Sequence, residues 1–131
     1  MFMKKLLAIV VLGLLWNNPI LSADKPTEEI RLMCYNKKIN TTEPVSFLKI
    51  KGIWHAREGN VVYDPTLKKD QFGGTSKVKV TEDSLEIYYI SSKYESWHTY
   101  SRISGERIQK LIMNGITSYF SATCEKASRK F

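Results

Sequence analysis

The chain has 131 residues, with 20 Lys plus Arg against 13 Asp plus Glu, a formal net charge of +7, two cysteines and two histidines. That length supports one domain, and a hydrophobic content of 43% is too high for a disordered chain. Two cysteines exclude both a disulfide-dense miniprotein and a four-cysteine zinc site.

Residues 1–23 read as an export signal. Lys4 and Lys5 form a basic start, Leu6 to Trp16 an apolar run, Asn17-Asn18-Pro19 a break, and Ala23 a small residue at the cleavage point. Eleven apolar residues fall short of the roughly 20 that span a bilayer, so no stable membrane anchor is expected once the signal is cleaved. Cleavage takes two lysines and no acid, leaving +5 on 108 residues. The remaining bases are scattered and interleaved with acids, which is a solvated surface rather than a phosphate-tracking stripe, so nucleic acid is not an expected partner. The expected location is periplasmic or secreted, in a bacterium. Residues 24–131 then form a single secreted β domain.

An oxidising compartment favours pairing of Cys34, near the start of that domain, with Cys124, near its end. Neither has a CxxC partner or a neighbouring histidine, which speaks for a structural bridge over a reactive thiol. In chain order, period-two alternation puts Ile30, Leu32 and Cys34 on one face of a first strand. Val45 to Ile50 is a second apolar stretch, and Asn60 to Tyr63 a short third, stopped by Asp64-Pro65. Lys68 to Gly74 reads as a mobile loop, and from Thr75 the chain is a continuous meander. The expected fold is all-β: a small antiparallel sandwich or up-and-down barrel with a C-terminal β-meander and one disulfide between the first and last strands.

Turn chemistry predicts the register of the meander. Asn114-Gly115 suits a type I′ hairpin and places Met113 opposite Ile116 and Leu111 opposite Ser118. Glu82-Asp83 pairs Val80 with Leu85 and Val78 with Ile87. A three-residue loop at Ile103-Ser104-Gly105, with Gly105 left-handed, sets Trp97 against Leu111 on the side of Met113, Ile116 and Phe120. The opposite face then collects Tyr100, Tyr119, His98, Arg102 and Lys110, with Ile108 and Ile112 beside them. That face is either covered by the early segments, Val45 to Tyr63, or is a contact surface for a protein or glycan.

Catalytic chemistry is thinly represented. The two histidines, His55 and His98, belong to no GxSxG or HExxH motif. Gly73-Gly74 precedes a strand and is no phosphate cradle. His55 with Glu58 or Asp64 is the one imaginable acid–base or metal pair, and neither metal nor cofactor is expected.

The segment Tyr100-Ser101-Arg102-Ile103-Ser104-Gly105, followed by a strand and Cys124, resembles small secreted bacterial proteins in which an Arg-x-Ser/Thr-Gly turn precedes a terminal cysteine strand. That resemblance covers about a third of the chain and implies no activity. The chain is also similar to the periplasmic inhibitors of c-type lysozyme: small, β-rich, exported, disulfide-linked proteins with a Ser-Gly-x-x-Tyr loop that blocks the enzyme. Here Ser104-Gly105-Glu106-Arg107 continues to Ile108 where that family has Tyr. The similarity implies Ser104 and Gly105 as an inhibitory loop. The leading expectation is a non-catalytic β domain that binds an envelope protein, a glycan or a small apolar ligand. A lysozyme-type inhibitor and a small envelope hydrolase are the alternatives.

Overall fold

The computed structural model describes residues 25–127; the expected signal peptide lies outside them. Nine antiparallel strands form one sheet, with no helix among the described residues. They are β1 (Glu28–Asn36), β2 (Thr41–Ile50), β3 (Ile53–Glu58), β4 (Val61–Tyr63), β5 (Thr75–Val80), β6 (Ser84–Ile90), β7 (Tyr94–Ser101), β8 (Glu106–Met113) and β9 (Ile116–Lys126). The spatial order is β4-β3-β2-β1-β9-β8-β7-β6-β5. Sequential strands are therefore neighbours everywhere except between β4 and β5. There the sheet curls until β5 packs against β3 and β4, giving a nearly closed up-and-down barrel.

Cys34 and Cys124 are direct partners across β1 and β9 and form the disulfide, which joins the first strand to the last. The bridge is compatible with an oxidising compartment. Inward residues alternate along every strand, and Phe47, Val45, Leu85, Ile87 and Tyr100 make the dry centre. Phe47 meets the Tyr100 ring edge-on at 5.4 Å between centroids, a favoured aromatic geometry.

Two of the three expected turns hold in register. Met113 pairs with Ile116 across Asn114 and Gly115, both at positive φ, and Val80 pairs with Leu85. The third does not. β7 and β8 are joined by four residues, Arg102 to Gly105, so Trp97 pairs with Lys110 and Ser96 with Leu111. Gly105 is left-handed as expected, but the Ser101 hydroxyl accepts the N–H groups of Ile103 and Ser104, and Gly105 N–H returns to Ser101 O. That cap adds one residue to the loop and inverts β7. His98 and Tyr100 point into the barrel and Trp97 points out.

The segment Val45 to Tyr63 also differs from expectation. It supplies β2 to β4 of the same sheet and covers only the His98 and Tyr100 part of the expected face, through Phe47 and Glu58, leaving Tyr119 and Lys110 outside. Ile53–Glu58 is a strand the sequence did not announce, with Trp54, Ala56 and Glu58 on its inner side opposite Lys49, Phe47 and Val45. The stretch Lys68–Gly74 contains a local turn: Asp70 Oδ1 accepts from Phe72 N–H and Gly74 N–H, and Oδ2 accepts from the Tyr89 hydroxyl. Burial and that bond push the Tyr89 hydroxyl up to about 12.

Candidate functional site

A polar cluster crosses the barrel interior from one half of the sheet to the other. Glu58, last residue of β3, receives His98 Nδ1 at 2.8 Å on Oε2, the Tyr100 hydroxyl on the same oxygen, and the Tyr63 hydroxyl at 3.3 Å on Oε1. Arg107 Nη2 lies 3.2 Å from Glu58 Oε2, and Nη1 donates to Glu43 Oε1 at 3.0 Å. The guanidinium also sits over the Tyr100 ring at 5.4 Å. Arg107 Nε is buried without a hydrogen-bond partner. These side chains converge because β3, β7 and β8 each turn their inward positions to one level of the barrel.

Burial pushes the Glu58 carboxyl up, but the hydrogen bond and charge of His98, the charge of Arg107 and the Tyr100 hydroxyl outweigh it and hold the group below its ordinary 4.5. Burial first, and then the Glu58 charge, push the hydroxyls of Tyr63 and Tyr100 far above 10.0. Burial opposes the Arg107 charge, and Tyr100, Glu58 and Glu43 together more than restore it. Glu58 is thus an ion-paired carboxylate at neutral pH.

His98 Nε2 is 3.1 Å from Ser96 Oγ, so Ser96, His98 and Glu58 stand in the contact order of a hydrolytic relay. Their surroundings differ from those of a working nucleophile. Ser96 is 2% exposed and His98 3%, and neither lines the mouth of the barrel. The other histidine, His55, lies on the outer face with Nε2 3.2 Å from Asp64 Oδ1, well separated from Glu58's inner cluster. Among the described residues no three His, Cys, Asp or Glu side chains converge as metal ligands would.

A concavity of about 1050 Å³ lies at the mouth of the barrel. It opens where the β1–β2 hairpin (Asn36, Ile39, Thr41) and the β3–β4 turn (Gly59, Asn60) stop short of the taller β8–β9 hairpin. Gln109, Leu111, Phe120 and Ala122 form the wall, and Glu43 and Arg107 form the floor. Arg107 thus links the mouth to the buried cluster through its two carboxylate partners.

The five residues expected on one binding face are divided between two sides of the sheet. His98 and Tyr100 belong to the interior cluster because of the inverted register of β7. Tyr119 and Lys110 are cross-strand partners on the outer face, where the row continues through Trp97 to Tyr88. Lys110 Nζ lies 5.1 Å over the Trp97 ring, and the Tyr88 and Trp97 centroids are 4.7 Å apart. Arg102 is on the β7–β8 loop, where its guanidinium donates to Thr81 O at 2.8 Å. Ser104 and Gly105 share that loop, with Ile103 fully projecting and Ser104 exposed. Glu58 was expected beside His55 rather than His98, and no role was read for Arg107 or Glu43, because neither β3 nor the register of β7 was legible. The one available signal was the alternation Trp54-x-Ala56-x-Glu58.

Comparison of the chain with known protein families, curated proteins and solved structures finds no match in any of the three.

Proposed function

We propose that the protein is an exported, non-catalytic β-barrel binding module whose mouth takes a small amphipathic ligand. The mouth carries the reading. Its volume is that of a small-molecule site, and its wall of Leu111, Phe120 and Ala122 faces a floor of Arg107 and Glu43. An apolar body would lie against the wall, with a polar end exchanging hydrogen bonds with the guanidinium and carboxylate. The seclusion of Ser96 and His98 favours binding over hydrolysis. A second reading, enzyme inhibition through the Arg102–Gly105 loop, draws on the exposure of Ile103 and Ser104.

The test is native mass spectrometry of the mature protein released gently from the cell envelope, with an anilinonaphthalene sulfonate titration alongside. The expected result is a copurifying small-molecule adduct, removed by organic extraction, and dye binding that the extracted adduct reverses. Leu111→Asp should abolish both while leaving the fold intact by circular dichroism. Absence of both adduct and dye binding in the wild type sinks the reading. In the same preparation c-type lysozyme should keep its full rate; a stoichiometric loss of rate that Ser104→Ala relieves would select the inhibitor reading instead.

A further inference from the structure

β9 is longer than the strand beside it. It pairs with β8 from Ile116 to Thr123, but with β1 only from Thr123 to Lys126. Cys124 N–H points to the β8 side, onto Gly105 O, and Ala127 N–H points to the β1 side, onto Arg31 O. Even-numbered residues of β9 therefore direct their backbone groups at β8, and odd-numbered ones at the opposite edge. Along that edge Thr117, Tyr119 and Ser121 offer N–H and C=O groups that no described strand takes up. Residues 111–124 contain neither a charge nor a proline, the devices that keep free strand edges apart. The same lip concentrates exposed apolar side chains: Ile116 is 67% exposed, Tyr119 66% and Phe120 48%.

We propose that this edge pairs with the same edge of a second copy of the chain, in an antiparallel two-fold arrangement centred on Tyr119. This is the only two-fold register that engages Thr117, Tyr119 and Ser121 of both copies, Thr117 facing Ser121 and Tyr119 facing its equivalent. On the inner face it sets each large side chain against a small one, Ile116 against Ala122 and Phe120 against Ser118, as complementary cross-strand packing requires. An uncharged strand has no like charge to bring together at the axis. The tight Asn114-Gly115 turn ends each added strand where the other copy's β1 begins, at Thr123. Phe120 and Ala122 also wall the mouth, so the seam and a ligand in the mouth share those two side chains, and the pairing is tested on protein freed of any adduct.

Sedimentation velocity of the mature protein over the micromolar to millimolar range should show a monomer–dimer equilibrium. In the dimer, amide exchange at Thr117, Tyr119 and Ser121 should slow at least tenfold relative to dilute protein. Ser121→Pro removes an N–H aimed away from β8, and Tyr119→Lys places two ammonium groups on the axis. Both variants should stay monomeric while keeping the thermal midpoint of the dilute wild type. A wild type that remains monomeric throughout, or a dimer that survives both variants with those amides unprotected, overturns the proposal. An extended peptide that protects the same amides in a protein that never dimerises assigns the edge to a foreign strand and overturns it equally.

Discussion

Glu58 shows how much one buried residue determines in a barrel of this size. Its carboxylate is the common acceptor for His98, Tyr63, Tyr100 and Arg107, contributed by β7, β4 and β8. A buried charge of this kind is costly alone and tolerable only while its partners stay in place. Glu58→Gln should therefore lower stability at neutral pH by about 3 kcal/mol, the usual scale for breaking a buried pair. The pH dependence has a definite sign. Because the folded carboxyl titrates below its ordinary 4.5, its contribution is complete above that value and is lost as pH falls through the lower folded value. Urea unfolding followed from pH 7 downwards should show the wild type weakening below about pH 4.5, and the variant converging on it there. An unchanged gap between the two in acid would mean that the charge of Glu58 is not what the cluster uses.

At the scale of the element, turns dictate strands, and local sequence determines some turns better than others. The Asn114-Gly115 hairpin could be read outright, since both residues sit at positive φ and two residues leave one possible register. The β7–β8 loop was read one residue short. Its length depends on the Ser101 hydroxyl capping two N–H groups, and β7 carries bulky side chains on both faces, so periodicity did not betray the slip. With β7 inverted and β3 unannounced, the inner polar cluster was illegible, although the all-β class, the disulfide and two registers were not. Gly105 distinguishes the two turns energetically. A Cβ there would fall 2.6 Å from Cys124 O at φ +81°, whereas at Gly115, φ +75°, it would meet open space. Gly115→Ala should cost about 1 kcal/mol for backbone strain alone, and Gly105→Ala roughly 2–3 kcal/mol because β9 must also retreat. Denaturant midpoints would reveal it; equal losses would deny the close approach of the loop to the disulfide-bearing strand.

For the whole molecule, the topology divides the sheet into two meanders, β1–β4 and β5–β9, connected along the chain by residues 64–74 and, among the described residues, paired strand to strand only where β1 meets β9. That junction is four residue pairs long, and the disulfide occupies one of them. The buried cluster is a second crossing, in which Glu58 of the first meander holds His98, Tyr100 and Arg107 of the second. The bridge closes a separation of 90 residues, for which chain entropy gives an upper figure of about 4–5 kcal/mol. Against an ordinary stability of about 5–15 kcal/mol, that is a large fraction. Replacing both Cys34 and Cys124 by Ala should lower the unfolding free energy by about 2–4 kcal/mol. The loss should also be local before it is global. Amides of Leu32–Tyr35 and Thr123–Lys126 should exchange faster in the variant under native conditions, while those of β6 and β7, in the middle of the second meander, keep their protection until global unfolding. Uniform acceleration across all nine strands would show instead that the barrel opens as one unit and that the β1–β9 junction is no weaker than the rest.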